Sequence, residues 1–197
     1  MRHIVSPHLA ADHEQTVAHF TRDASPVVTR GRIGFISPHD ESPPLRERRT
    51  AFRNWVDDQE LIQFTRQEYV AKKEKSDVDA GIQALSFWAK QPPAERPTAI
   101  ITANDLIAIG ALRWLRHAKK TGEWENFSVV GIDDIDWAQL NDPPLTTIRI
   151  PKEKIGEIAV GLMDRVLQGD DSATEYRCVI KTELVVREST YRYQNDS

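Results

Sequence analysis

The sequence predicts an α/β protein in which a parallel sheet carries helices on both faces. The first observation is that short apolar runs, such as 99–102 (AIIT) and 127–132 (FSVVGI), alternate with stretches whose apolar residues recur at helical spacing. The second is that the segments between these runs are long enough for the crossover helices that parallel strands require. The third is the length of 197 residues, with which a chain buries roughly 70% of its unfolded surface and needs no disulfides to hold a core.

The first half of the chain alternates strands and helices, and each is bounded by turn residues. The predicted elements are, in order, a strand over 33–36, a helix over 45–56, a strand over 61–64, a helix over 78–89 and a strand over 99–102. The turn SPHDESPP precedes the first helix, and the lysine-rich stretch AKKEKSD precedes the second. Three prolines after the second helix break the chain before the next strand.

The second half continues this alternation and then changes character after Asp142. The predicted elements are a helix over 105–119, a strand over 127–132, a short helix over 135–140, a strand or extended link over 145–150, a helix over 152–168 and a strand over 179–186. Pro151 suits the first turn of its helix, and Gly169 suits the end. The segment 191–197 is predicted to be a loose tail.

Composition and charge exclude several classes of protein. Lys and Arg total 26 against 30 Asp and Glu, so the net charge of −4 argues against a domain whose main task is to grip phosphates. The single cysteine, Cys178, excludes an internal disulfide framework and a CxxC motif. No apolar run has the length of a membrane span, and the first residues have no signal-peptide core. We therefore expect a cytoplasmic protein with no membrane partner.

Asn104 lies where a buried strand runs directly into a helix. The residues AIIT end at the carboxyl edge of the predicted sheet, which is where open α/β sheets bind ligands. Asn is also a favourable N-cap residue, because its side-chain oxygen accepts a hydrogen bond from a free backbone N–H. The spacing alone leaves both roles open for Asn104.

Two consecutive carboxylates, Asp133 and Asp134, follow the apolar strand that ends at Gly131. Either carboxylate suits the hydroxyls of a polyol, because it accepts strong charge-assisted hydrogen bonds. The alternative for Asp134 is to cap the short helix that follows. A metal site needs more oxygen ligands than we can assign, and acid/base catalysis needs opposed rather than adjacent groups, so we expect neither a metal nor an enzyme.

The charged run Arg46, Glu47, Arg48 and Arg49 occupies every side of its predicted helix, so at least one of these residues points inward or toward the mouth of a cleft. The N-terminal histidines are spaced by five and six residues, which does not place two on one helical face. No Walker A, GxGxxG, GxSxG or HExxH motif is present, and we expect no cofactor.

Four segments in this order, PTAIITANDLIAIGALRWLR, FSVVGIDDID, DPPLTTIRIPKEKIGEIAV and TELVVREST, resemble the effector-binding region of the lactose-repressor (LacI/GalR) family of bacterial transcription regulators. The segment RIGFIS...SPPLRERRTAF matches more loosely. The resemblance extends over 31–190, whereas 1–30 is a divergent N-terminal segment.

The resemblance implies a fold of the periplasmic-binding-protein-like type I, in which a ligand binds between two subdomains. Most of the chain would be the C-terminal subdomain, covering about 8–145 and 177–190. The helix 152–168 would belong to an N-terminal subdomain of which little is present. We therefore expect a truncated regulator, or a helix that packs in a non-standard way or against a second chain. The helix after the AND motif would help to form a homodimer.

The resemblance also implies site residues and a function. Arg48 matches the family's ligand-contacting arginine, Asn104 the asparagine of its AND motif and Asp133 the first aspartate of its GxDD motif. Tyr69 matches an aromatic residue that covers the ligand. The chain would bind a small effector, most readily a sugar, and would reach DNA only through a helix-turn-helix head that these residues lack. The alternative is a solute-binding protein for sugar uptake.

Overall fold

The computed structural model describes residues 8–11, 31–39, 42–58, 64–71, 77–118, 124, 126–170 and 177–191. None of the helices within these ranges combines the length and the apolar character needed to cross a membrane.

The core of the molecule is a six-stranded sheet with the order β3-β2-β4-β5-β6-β8. All neighbouring strands are parallel except β6 and β8, which are antiparallel. The strands of this sheet are β2 (Gly31–Ser37), β3 (Phe64–Val70), β4 (Ala99–Thr102), β5 (Ser128–Asp133), β6 (Thr146–Arg149) and β8 (Glu183–Val185). The chain leaves β2 for β3 on one side and then crosses to β4 on the other, so the strand order reverses between β2 and β4.

Helices cover both faces of this sheet, as the sequence predicts for the α/β class. The helices are α1 (Pro43–Asp58), α2 (Asp77–Trp88), α3 (Asp105–Ala118), α4 (Asp136–Leu140) and α5 (Lys152–Leu167), and a 3-10 turn lies at Pro93–Glu95. On one face Phe52 of α1 stacks on Phe35 of β2 with ring centroids 5.0 Å apart. On the other face Trp88 of α2 lies over Gly34 of the same strand, so close that a Cβ atom at Gly34 would be 2.9 Å from its ring.

Two glycines allow α2 and α3 to pack with their backbones almost in contact. A Cβ atom built at Gly81 would lie 2.1 Å from the carbonyl oxygen of Ile107. One built at Gly110 would lie 2.0 Å from the carbonyl oxygen of Val78. Any larger residue at either position would force the helices apart, and their paired N-terminal ends would move with them.

Two of the elements that follow β6 lie outside the main sheet, whereas β8 returns to it. Strand β7 (Arg177–Ile180) pairs in parallel with β1 (His8–Ala11) in a separate two-stranded sheet. Most of α5 is exposed, and Leu162 is its one buried residue. The division into subdomains at about 8–145, 152–168 and 177–190 stays a prediction, and most of 1–30 and the tail 191–197 lies outside the described residues.

Two sequence predictions differ from the structure. The strand predicted over 61–64 lies at Phe64–Val70, and 61–63 lie outside the described residues. The single strand predicted over 179–186 is two strands, because β7 pairs with β1 while β8 returns to pair with β6. The alternation of apolar and polar side chains continues through both strands. This pattern therefore does not show that the chain passes from one sheet to the other between them.

The apolar side chains of α3, the helix that the family resemblance assigns to a homodimer contact, pack mostly in the core. The ring of Trp114 packs edge-to-face on Trp124 at 5.2 Å, and Leu112 is buried. Exposed apolar side chains lie on α4, where Trp137 and Leu140 are 68% and 71% exposed, and along α5.

Candidate functional site

Arg48 is the residue of the charged run that points inward. Phe52, one helical turn later, stacks on Phe35, so the same face of α1 brings Arg48 over the carboxyl end of β2. Only 8% of Arg48 is exposed, whereas Arg46 and Glu47 are exposed. The tertiary packing of the helix therefore selects which charge of the run is buried.

The guanidinium of Arg48 joins the ends of two strands. One terminal nitrogen donates to the carbonyl oxygen of Ala103 at 2.5 Å, immediately after β4. The other donates to Oδ1 of Asp133, the last residue of β5, at 3.1 Å. Burial raises the pKa of the Asp133 carboxyl, and the charge and hydrogen bond of Arg48 oppose this rise. Arg48 is buried and Asp133 is half-buried, so removal of Asp133 would leave a buried guanidinium without its charged partner and would destabilise the fold.

Asn104 caps α3 and also contacts the neighbouring helix. Its Oδ1 accepts a hydrogen bond from the backbone N–H of Ile107 at 3.0 Å, which is the capping role that the sequence left open. Its Nδ2 donates to Oδ2 of Asp77, the first residue of α2, at 2.7 Å. Both polar atoms of the Asn104 amide therefore have partners within the protein.

Asp77 and Lys152 extend the charge of this region, and sequence reasoning missed both. The charge of Lys152, at the start of α5, lowers the pKa of Asp133, and the charge of Asp77 raises it. The two are 75 residues apart in the chain, and each looks like an ordinary residue of a first helical turn. No local pattern in the sequence marks them.

Ser37 was also missed, and it has a buried hydroxyl without a partner. Among the described residues, the buried side-chain nitrogen and oxygen atoms that lack a hydrogen bond are Ser37 Oγ and Arg48 Nε. Ser37 lies two residues beyond Phe35 on β2, and Arg48 lies four residues before Phe52 on α1. These separations are about 6.6 Å along the strand and about 6 Å along the helix, so both residues lie close to the stack of Phe35 and Phe52.

Asp134 does not cap α4, so that alternative is wrong. The N-cap residue of α4 is Ile135, and no side chain caps the helix. Asp134 instead accepts hydrogen bonds from Arg187 at 2.7 Å and from Arg149 at 2.6 Å. Burial alone raises the pKa of the Asp134 carboxyl, but the bonds from Arg187 and Arg149 outweigh burial and leave it lowered. The two adjacent aspartates therefore face different partners.

Tyr69 lies in a cluster of aromatic side chains. Its ring centroid is 5.7 Å from that of Phe87 and 6.3 Å from that of Trp88, both near the end of α2. Arg48, Asn104 and Asp133 lie at the carboxyl edge of the sheet. Among the described residues, Tyr69 has no hydrogen bond to any of the three. Its role as a cover for the ligand stays a prediction.

The parts of the chain that the structure describes contain no cluster of three or more His, Cys, Asp or Glu side chains that could hold a metal ion. Of the N-terminal histidines, His13 and His19 lie outside the described residues. What the site presents is a buried cation, a carboxylate, an amide and a hydroxyl at the point where the strand order reverses. In open α/β sheets this point forms the ligand crevice.

Comparison with known proteins identifies the family. The family described as a periplasmic binding protein-like domain matches residues 30–190. Over 94 residues the chain is 42% identical to a lactose operon repressor from Rhizobium radiobacter, which covers 48% of this chain and 80% of that protein. The chain belongs to this family and to its lactose-repressor type.

Other relatives of this LacI-type domain are also repressors. The HTH-type transcriptional repressor CytR of Escherichia coli (strain K12) is 35% identical over 125 residues, which is 62% of this chain and 35% of that protein. The HTH-type repressor PurR of Photobacterium profundum is 30% identical over 171 residues, which is 80% of this chain and 45% of that protein. The chain thus spans between about a third and a half of the length of these two relatives.

Solved structures share the fold of this LacI-type domain. A LacI family transcriptional regulator from Enterococcus faecalis V583 with bound ribose superposes with a TM-score of 0.76 at 22% identity, covering 98% of this chain and 67% of that one. A dimeric Lac repressor superposes with a TM-score of 0.74 at 23% identity, covering 94% and 64% of the two chains. The sequence-based resemblance and the periplasmic-binding-protein-like fold are therefore confirmed.

Proposed function

We propose that this chain is the effector-binding part of a LacI-type transcriptional regulator and that it binds a polyhydroxylated small molecule, most readily a sugar. The observation that carries the proposal is the ion pair between buried Arg48 and half-buried Asp133 at the end of the sheet where the strand order reverses. Repressors, rather than uptake proteins, are the named relatives, which supports this function over solute uptake.

The chemistry of the site suits hydroxyl groups. Asp133 holds Arg48 through one oxygen, so its second oxygen suits a ligand hydroxyl that donates. Among the described residues, the Nε–H of Arg48 and the hydroxyl of Ser37 lack hydrogen-bond partners. A ligand oxygen that accepted hydrogen bonds from them would remove the free-energy cost of burying these groups unpaired. Because the charges of Arg48 and Asp133 balance, a neutral polyol fits better than a strongly charged ligand. Asn104 and Tyr69 are proposed as further contacts, through the amide and the ring.

In the complete regulator, the effector would act by shifting a two-state equilibrium. Ligand that binds one arrangement of the two subdomains more tightly favours that arrangement, and a DNA-binding head responds to it. We assign DNA contact to a head outside these residues, and we place the protein in the cytoplasm because its target is DNA. The exposed apolar surface of α5 supports its assignment to a second subdomain.

Effector binding is tested by titration calorimetry against pentoses, hexoses, disaccharides and nucleosides, with this chain and with any longer protein that its gene encodes. We expect one class to bind, and Arg48→Met and Asp133→Ala each to weaken it at least tenfold, because charged hydrogen bonds contribute about 1.5–3 kcal/mol. Arg53→Met is the matched control, since Arg53 lies on the same helix but pairs outward with Glu68 at 2.6 Å. Equal losses in Arg53→Met and Arg48→Met would contradict the assignment.

DNA binding is tested separately by mobility shift. With a net charge of −4, the 197 residues should not shift operator fragments from around their own gene, whereas a complete regulator with its head should. A sequence-specific shift by these residues alone that survives moderate salt would contradict the assignment of DNA contact to a separate head. Turnover of any panel sugar would contradict the proposal that the chain is not an enzyme.

A further inference from the structure

Asp105, the first residue of α3, bridges three parts of the sheet edge. Its carboxylate is fully buried. One oxygen, Oδ1, accepts a hydrogen bond from the hydroxyl of Thr147 on β6. The other, Oδ2, accepts from the backbone N–H of Ile135 at 2.9 Å, in the turn between β5 and α4. A single side chain thus ties this turn to both α3 and β6.

The turn that Asp105 holds has an unfavourable backbone. Asp133 has a φ of 124° and Asp134 a φ of 49°, two consecutive non-glycine residues in the left-handed half of conformational space. Such residues persist only where the surrounding structure holds them. Ile135 follows directly, so the bond from its N–H to Asp105 fixes the end of the strained segment.

Gly131 independently shows how closely Asp105 fits. A Cβ atom at Gly131 would lie 2.1 Å from Oδ1 of Asp105 and 3.0 Å from Leu145. The carboxylate therefore occupies the space beside the β5 backbone that any other residue at this position would need. The glycine two residues before Asp133 and the buried carboxylate are parts of one arrangement.

We propose that Asp105 is a positioning residue of the ligand site, which holds the turn after β5 so that the side chain of Asp133 faces Arg48. This inference rests on the proposed function for its meaning, because Asp133 is the carboxylate that would accept from the ligand. Asp105 itself does not contact the ligand. It holds the backbone φ of Asp133, the residue that would contact it.

The test is a double-mutant cycle between Arg48→Met and Asp133→Asn, read from the melting temperature and therefore independent of any ligand. The cycle is repeated in the Asp105→Ala and Asp105→Asn backgrounds. We expect the coupling between the substitutions at Arg48 and Asp133 to fall by at least half in the Asp105→Ala background, because Asp133 then turns away from Arg48. Asp105→Asn should retain it, since the amide oxygen still accepts from Ile135 and the amide nitrogen can donate to Thr147 Oγ1.

Asp136→Ala is the matched control, because Asp136 is also an aspartate in a first helical turn but is exposed. A coupling that is unchanged in Asp105→Ala, or that falls equally in Asp136→Ala, would overturn the inference. If Asp105→Ala does not fold, Thr147→Val removes one of the two anchors. It should accelerate exchange of the Ile135 amide by about tenfold more than exchange of the Val129 amide in the sheet, and equal acceleration of both would also overturn the inference.

A ligand adds a second readout. With D-ribose or lactose, whichever the wild-type chain binds, Asp105→Ala should lower affinity at least tenfold at a temperature where the variant is fully folded. Asp105→Asn should stay within about threefold. Loss of coupling without loss of affinity would overturn the positioning role. Absence of binding by the wild type bears on the proposed function alone, because the coupling measurement needs no ligand.

Discussion

Ser37 and Arg48 each have a polar atom that the protein buries and leaves unpaired. Ser37 is 3% exposed and is the last residue of β2, and its hydroxyl has no hydrogen-bond partner within the described residues. A buried hydroxyl without a hydrogen bond destabilises a fold, whereas the same hydroxyl bonded to a ligand contributes to affinity. Function and stability should therefore respond in opposite directions to changes at this residue.

Ser37→Ala tests this opposition. We expect the free energy of unfolding to rise by about 1 kcal/mol in the absence of ligand, because the substitution removes a buried hydroxyl that has no hydrogen bond. Affinity for the effector should fall about fivefold or more. Urea titration and calorimetry measure the two quantities, and Ser86→Ala is the control, because the Ser86 hydroxyl already donates to Ile82 at 2.8 Å. A loss of stability in Ser37→Ala would show that the hydroxyl has a partner within the protein.

Asp105 predicts a dependence of stability on pH. Burial is the largest effect on its carboxyl and, despite the bonds from Thr147 and Ile135, raises its pKa from 3.8 to about 6; the charges of Asp133 and Asp134 add to the rise. Between these values the folded state binds more protons than the unfolded state, so this group's contribution to stability falls as pH rises from about 4 to above 6.

Asp105→Asn should remove this contribution. Relative to the variant, the wild type should lose on the order of 2–3 kcal/mol of unfolding free energy between about pH 4 and pH 7.5. Urea titrations at several pH values measure the difference, and subtracting the variant's profile removes the effects of other carboxylates. Parallel profiles for the two proteins would mean that Asp105 titrates normally.

At the level of elements, the contact between α2 and α3 decides how the site is assembled. Their N-terminal ends carry Asp77 and Asn104, which bond directly. Gly81 and Gly110 let the two helices approach closely enough for that bond. Helix packing and site geometry are therefore coupled through the backbone, and a Cβ atom far from the ligand should disturb the Asn104 amide.

Gly110→Ala and Gly161→Ala form a matched pair. Both glycines lie within helices, but a Cβ atom at Gly110 would lie 2.0 Å from the Val78 carbonyl oxygen, whereas one at Gly161 would have nothing within 4 Å. We expect Gly110→Ala to destabilise the protein by about 1–3 kcal/mol or more, and Gly161→Ala to stabilise α5 by about 0.5–1 kcal/mol. Thermal unfolding measures both, and equal shifts would contradict the close approach of α2 and α3.

For the whole molecule, apolar surface on α4 and α5 predicts self-association. Trp137 and Leu140 on α4 and Leu167 on α5 are each more than two-thirds exposed. Large side chains of this kind are uncommon in clusters on the surface of a monomer. The family resemblance predicts a homodimer formed with the help of α3, the helix after the AND motif, whereas these exposed apolar side chains lie on α4 and α5.

Light scattering tests the association. We expect a homodimer, and we expect Leu140→Lys to weaken it if the contact uses α4. Met163→Lys, on exposed α5, is the comparison: a larger effect there would place the contact on α5. A well-behaved monomer at high concentration would contradict association by either helix.

Local patterns in the sequence determined most of the order of strands and helices and the α/β class, and they placed the candidate site at the ends of the strands. Side-chain periodicity and turn residues are properties of neighbours in the chain, so they are visible without the fold. The motifs around Arg48, Asn104 and Asp133 marked three positions that the structure brings to one edge of the sheet. The order of the motifs also identified the family, which the comparisons confirm.

Only the tertiary structure decided which charges are buried and which partners they have. The bonds of Asp105 reach residues 30 and 42 positions away, and Arg48 reaches Asp133 across 85 positions. The same holds for Asp134, which looked like a helix cap but pairs with Arg187, and for the final apolar run, which divides between two sheets. A residue's type and its near neighbours set local conformation, whereas desolvation and charge pairing depend on groups that the chain brings together only when it folds.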